Sequence, residues 1–476
     1  MKNQSLFEIP RLIALIAVMA VLALHGHAQL LHTSYFMEGT QYRLSLNPAL
    51  APTRGFVHVP AAGAMGASLY SDGIALNDMI DIVKNSDHAD YFADDRFMGR
   101  LKDTNHAAAT AGTDILAAGW WHGNSFMSIN LSFRVNADLR APKALFSFMR
   151  DMHGMNTIDY SDFTRSIGGE KLELTAYTEI GFGYMRPLSA NLDAGFKVKG
   201  LLGHGNMRLT VHDAVVTTRL HGLSPDYDWT YGDPTEVLVA DGTASIDVQA
   251  DWVSSFEGLE LQSNGKDYID EIKFKAANMG VAGYGAAVDL GFSWRPTRRL
   301  TVSASLVDLG LIRWTKGCTR VAHANTADLH FDSNSSNNLA GFSDIIATTT
   351  PINTDILRLT LDDNAAKART THLASTVTCG VDYALQDGKV NVGALYTHHH
   401  SAVRAQDEVT LSLGYRPHRH VELAVSCSPL MCGGKAAGVA VKAGPVFLGT
   451  DYIYMGRGTK TCNAMAGISI PLGSKP

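Results

Sequence analysis

Three histidines in a row, His398-His399-His400 within YTHHHSAVR (Tyr396–Arg404), are the side chains best suited to bind or catalyse. On a strand His398 and His400 share one face and His399 takes the other. Two imidazoles on one face hold a transition metal weakly, and no third protein ligand stands nearby at ligand spacing. The run therefore reads as a solvated outer turn, and no metal site is assigned. His400-Ser401 beside Asp407-Glu408 offers the residue types of a hydrolase triad, but triads are defined by geometry rather than by nearness in sequence. With no motif fixing a nucleophile, no catalytic residue is assigned and a non-enzyme without a cofactor is expected. The cysteines are Cys318, Cys379, Cys427, Cys432 and Cys462, an odd number, so at least one has no partner in this chain. Cys427 and Cys432 bracket Ser-Pro-Leu-Met, which reads as a loop and suits a disulfide in an oxidising compartment.

The elements that must carry these residues are announced at the N-terminus. Lys2 and Arg11 precede the uncharged apolar run Leu12–Leu24, and Gly26-His27-Ala28 ends in a small residue suited to cleavage. The run is too short to span a bilayer, which takes about 20 residues. Residues 1–28 are thus expected to be a signal peptide. Charged residues make up 18% of the chain, below the usual ~25%. Gly occurs 44 times in 476 residues, above the usual ~7%. Few charges, much glycine and no long apolar helix suit a large membrane barrel better than a soluble domain. The net charge of −6 gives no reason to expect nucleic acid.

Period two dominates the remainder. Met127, Ile129, Leu131, Phe133 and Val135 are apolar, with Ser128, Asn130, Ser132 and Arg134 between them. Tyr284, Ala286, Val288, Leu290, Phe292 and Trp294 alternate with glycine and polar residues, and so do Leu192–Leu202 and Val409–Tyr415. Runs of this length approach the ~9–11 residues of a tilted membrane strand. Small or Gly residues on the second face suit a crowded lumen, and aromatics at strand ends suit the interfacial girdles. Arg186-Pro187, Arg295-Pro296 and Arg416-Pro417 recur in short links, and Asp387-Gly388 is a strong hairpin turn. Laying strands between these links predicts an all-β transmembrane antiparallel barrel of about 14 strands over residues 56–476. Strand-like Glu236–Trp252, inside a long excursion, leaves 16 open.

The long excursions hold helical spacing. Leu76, Met79, Ile80 and Val83 fall at i, i+3, i+4, i+7, as do Leu145, Phe148, Met149 and Met152 behind Pro142. These eight form a candidate apolar ligand surface. Arg134, Glu179, Lys197, Lys199, Asp289 and Arg416 fall on the polar strand faces and are candidate lumen charges that line a path or pair with one another.

YFMEGTQYRLSLNPALAP (Tyr35–Pro52) is neither strand nor helix. It resembles two families. Asn47-Pro48-Ala49 behind a signal and before strand 1 is similar to the hatch of long-chain fatty-acid transporters of Gram-negative outer membranes. The wider string through RGFVHVPAAG (Arg54–Gly63) resembles a Bacteroidetes outer-membrane barrel family of unknown function. The resemblance covers about residues 35–66 and implies that residues 29–55 form a plug in the lumen. The physical need is plain, since a barrel of about 14 strands is too wide for wall side chains to fill. The resemblance also implies uptake of a hydrophobic or amphipathic small molecule, with outer-membrane lipid as surroundings. A non-transporting scaffold for a surface or secretion protein partner is the first alternative, and a general porin the second.

Overall fold

Strands with one apolar and one small or polar face bury both when the sheet closes on itself, apolar side to lipid. The computed structural model shows this closure. It describes residues 31–78, 95–153, 163–220, 242–263, 280–325, 330–332, 358–430, 436–453 and 458–474, together with 265, 268–269 and 271–274. The proposed signal peptide lies outside the described residues.

Fourteen antiparallel strands form the ring. They are β1 (Arg54–His58 and Met65–Ser71), β2 (Thr104–His122), β3 (Ser125–Pro142), β4 (Lys171–Pro187), β5 (Leu192–Leu220), β6 (Gly283–Trp294) and β7 (Leu300–Trp314). The circuit continues with β8 (Arg369–His372 and Ser375–Leu385), β9 (Val390–His400), β10 (Ala405–His418), β11 (Val421–Ser428), β12 (Ala436–Ala443), β13 (Val446–Thr450) and β14 (Thr461–Ser474). Pairing of β14 with β1, from Arg54↔Ser474 to Tyr70↔Thr461, shuts the barrel. β1 takes eight steps (Val57 to Met65) where β2 takes five (Ala118 to Thr113), so it carries a bulge, in which Ala61 has φ 57°.

The links with Arg-Pro and Asp-Gly all close one end, the short-turn end facing the periplasm. Arg416-Pro417 sits inside β10, so that turn falls two residues later than the motif implies. Ile129, Ile180, Phe182, Val198, Leu290 and Phe292 point outward and are exposed. Trp120, Trp294, Tyr383 and Tyr415 ring the short-turn rim, and Tyr284 and Tyr396 mark the opposite one. Ten residue steps lead from Tyr284 to Trp294 on β6; at ~3.3 Å each and ~40° of tilt they span about 25 Å, the height of a membrane band. The chain is an outer-membrane β-barrel.

The Glu236–Trp252 run does not enlarge the ring to sixteen. Its described part falls in the strand Gly242–Phe256, which pairs with the upper half of β5, from Gly205↔Phe256 onward, just where β6 stops at Gly283↔Gly203. Thr319–Asn325 pairs with Gly242–Phe256 as the upward continuation of β7, and Thr360–Leu361 pairs with Thr319–Asn325. Phe163–Ser166 lies along β5 above β4. The β4–β8 side thus keeps its strand order and rises past the membrane.

Beyond the membrane this raised wall carries an apolar core on the face that points to lipid lower down, where Ile129, Ile180 and Phe182 stand. Leu172 and Leu174, Met207, Leu209 and Val211, and Val248, Ala250 and Trp252 are all buried in it. Two helices pack onto it, α1 (Asp95–Arg100) through Phe97 and Met98 and α2 (Lys143–His153) through Leu145 and Phe146. Phe97 and Phe146 meet edge to face at 5.9 Å. Phe148 packs at the edge of the core, whereas Leu76 is buried outside it. Met79, Ile80 and Val83 lie outside the described residues, as do the side chains of Met149 and Met152. Trp252→Ala is expected to cost about 3–5 kcal/mol of local stability. Amide exchange should show lost protection in upper β5 and Gly242–Phe256, with the membrane half of the ring unchanged.

Candidate functional site

The lumen is filled from the periplasmic side by residues 31–53. The segment folds as two short 3₁₀ turns, His32–Ser34 and Gln41–Ser45, joined by irregular chain. Proline and the local Asn side chain explain why nothing longer forms. Asn47 Oδ1 accepts from the Ala49 amide at 2.9 Å, which closes the chain around Pro48. Tyr35 and Leu46 are fully buried, and Phe36, Met37 and Tyr42 nearly so.

Each apolar anchor is paired with polar wiring into the wall. Asn47 Nδ2 donates to the Phe292 and Ala304 carbonyls at 3.3 and 3.2 Å, on β6 and β7. Ser305 Oγ donates to the Leu46 carbonyl at 2.5 Å. Tyr42 Oη donates to the Gly63 carbonyl at 2.5 Å, within the β1 bulge. Asp451 accepts from the His32 and Thr33 amides at 2.9 and 2.7 Å, and His32 Nδ1 lies 3.3 Å from Glu408. Glu38 meets Arg416 at 3.1 Å.

The wall is cut to receive this segment. A Cβ on Gly195 would sit 2.3 Å from the Pro48 carbonyl oxygen, and one on Gly291 2.1 Å from Asn47 Oδ1. At Gly380 it would meet Tyr35 at 2.7 Å, at Gly393 Phe36 at 2.5 Å, and at Gly449 Leu31 at 2.5 Å. Much of the glycine excess on the inner face is therefore clearance for the segment.

Above it lies a layer of buried charge. Lys199 contacts Asp289 at 2.8 Å, Asp308 at 2.5 Å and Glu179 at 3.7 Å. Lys197 reaches Glu179 at 2.6 Å, and Arg134 stands 3.9 Å from Asp114. Of the six lumen charges read from the sequence, the structure gathers Arg134, Glu179, Lys197, Lys199 and Asp289 here, and places Arg416 at the periplasmic rim. The six did not include their partners Asp114 and Asp308, nor Glu408, the partner of His32. Asp308 takes φ 60° within a bulge of β7, where Val307 and Asp308 stand opposite Asp289, and its amide donates to Asp289 Oδ1 at 2.8 Å. A bulge of this kind re-aims a side chain against the simple period. Glu408 was legible, since Thr410, Ser412 and Gly414 share its inward face. A cavity of about 140 Å³ lies within this layer, lined by Glu179, Lys197, Lys199, Arg404, Glu408 and His32 among others.

The triple histidine is divided as a strand requires. His398 pairs outward with Asp407 at 2.8 Å, and His399 turns inward. Ser401 Oγ donates to the Arg404 carbonyl at 3.3 Å. No cluster of three His, Cys, Asp or Glu suited to a metal occurs among the described residues. Cys318, Cys379, Cys427 and Cys462 are free, and Cys432 lies outside the described residues.

A family model matches residues 48–451. The chain belongs to DUF5723, a family of unknown function. No curated protein matches the sequence. Among solved structures it is similar to the Pseudomonas putida toluene transporter TodX, at 8% identity over 93% of each chain with a TM-score of 0.29. It is similar also to the CymD monoaromatic hydrocarbon channel, at 9% identity over 95% of each chain and a TM-score of 0.33. A Pseudomonas aeruginosa FadL homologue aligns at 9% identity over 93% of this chain and 96% of its own, with a TM-score of 0.27.

Proposed function

We propose that this DUF5723 barrel takes up a hydrophobic or amphipathic small molecule across the outer membrane, without chemical conversion of it. The observation that carries the reading is the buried apolar core at the outer mouth. Wall strands extend past the bilayer to form one side of it, and two helices pack onto it. A general porin needs a wide aqueous lumen, and residues 31–53 occupy that space. A second reading, a sealed scaffold for a surface or secretion protein partner, is favoured by the close fit of that segment to the wall glycines.

The test uses the detergent-extracted protein in two assays. In a planar bilayer, with insertion verified independently, the barrel is expected to be silent. Native mass spectrometry of the same preparation should then show a bound lipid-sized adduct. Steady ohmic steps would overturn the uptake reading in favour of a porin. A silent bilayer with a co-purifying protein and no small adduct would leave the scaffold.

A further inference from the structure

Beside the apolar core at the outer end lies one acid with no ion-pair partner among the described residues. Glu170 is 4% exposed and ends the stretch that joins Phe163–Ser166 to β4. Its carbonyl accepts from the Val211 amide at 2.9 Å, so its backbone lies against β5. Alternation puts it on the same face as Leu172 and Leu174, both buried in the core. Its Oε2 has no hydrogen-bond partner. Neighbouring charges are engaged elsewhere or stand opposite other residues. On β5, Arg208 holds Glu173 at 2.9 Å and His212 holds Asp251 at 2.8 Å, while the Ser166 hydroxyl reaches Asp213. On β3, Asp138 holds Arg404 at 2.9 Å and Arg140 stands opposite Lys171. Among the described residues no ion pair involves Glu170.

A buried polar atom without a partner is costly, and a site that keeps one is suited to a ligand that supplies it. We propose that Glu170 is the polar contact of a ligand site in the outer apolar core, selecting amphiphiles whose head group donates a hydrogen bond or carries positive charge. This rests on the uptake reading above. A long-chain amine would cancel the carboxylate, and a long-chain alcohol would donate to it. A carboxylate head would place like charges together in an apolar setting, which costs several kcal/mol. Burial pushes the Glu170 carboxyl up from 4.5 to about 7. The native state keeps a proton that the unfolded chain releases. The stability this gives is complete below about 4.5 and lost as pH rises through about 7. The same titration makes the amine preference grow with pH.

The experiment measures equilibrium binding of dodecylamine, dodecanol and dodecanoate to the full chain held in amphipol, followed by the part of the tryptophan emission that Trp252→Phe removes. Near pH 8, dodecylamine is expected to bind at least about tenfold tighter than dodecanoate. Near pH 5.5 that ratio should shrink severalfold. Glu170→Gln, which keeps the shape, should bring amine and carboxylate within about threefold at both pH values and leave dodecanol little changed. The wild-type comparison needs no variant, so the proposal stays testable if Glu170→Gln misfolds. Equal or tighter binding of dodecanoate, or an amine preference that persists in Glu170→Gln, would overturn the role of Glu170 while leaving uptake intact. Failure of all three probes to bind would remove the ligand site and the uptake reading together.

Discussion

A Gly195→Val, Gly291→Val double variant is expected to turn a silent barrel into a conducting one. Both new side chains would point at backbone or tightly held atoms: Pro48 C at 2.4 Å and Ala49 N at 2.6 Å from a Cβ at 195, and Asn47 Oδ1 and Ala49 N at 2.1 and 3.0 Å from one at 291. The wall has little freedom to retreat, because β5 and β6 are hydrogen-bonded on both sides. Overpacking of this kind costs about 1–3 kcal/mol per site, which is more easily relieved by moving residues 46–50 than by breaking the ring. With that turn unseated, the Asn47 bonds to β6 and β7 are lost and the lumen opens. Planar-bilayer recording should show steady steps where the wild type shows none. Deletion of residues 31–50 is the reference for the fully open state. If that deletion inserts correctly and stays silent, the segment does not close the lumen and the plug assignment fails.

Lys199→Met is expected to destabilise the barrel by about 3–5 kcal/mol. Lys199 is the shared cation of Glu179, Asp289 and Asp308 and is 4% exposed. Its removal leaves Glu179 with Lys197 and the Asn130 amide, Asp289 with the Asp308 backbone amide, and neither aspartate with a cation in direct contact among the described residues. Unpaired buried charge costs more than the original pair contributes. Loss of heat-resistant gel mobility at a lower temperature would register this. Lys199→Met, Asp289→Leu and the corresponding double variant form a cycle. A coupling below about 0.5 kcal/mol would show that the pair is worth no more than a surface contact.

What the sequence determined by itself is the ring. Alternation in Met127–Val135 and Ala282–Trp294 is local, and each strand reads its two environments from its own residues. The recurring Arg-Pro and Asp-Gly links set where the chain reverses, so the fourteen strands followed. The α2 helix was equally legible from the spacing of Leu145 and Phe148. Three features were decided by tertiary structure. Glu236–Trp252 reads as a strand in any setting; only β5, by outlasting β6, placed its described part on top of the ring rather than in it. The meeting of Gly195 with Pro48 and of Gly291 with Asn47 joins residues more than a hundred positions apart, and a glycine carries no mark of what fills the space beside it. Lys199 gathers acids from β4, β6 and β7, one of them turned by a bulge. Glu170 was passed over for a related reason: charge and spacing can be read along a chain, but burial without a partner exists only once neighbouring strands have closed around it.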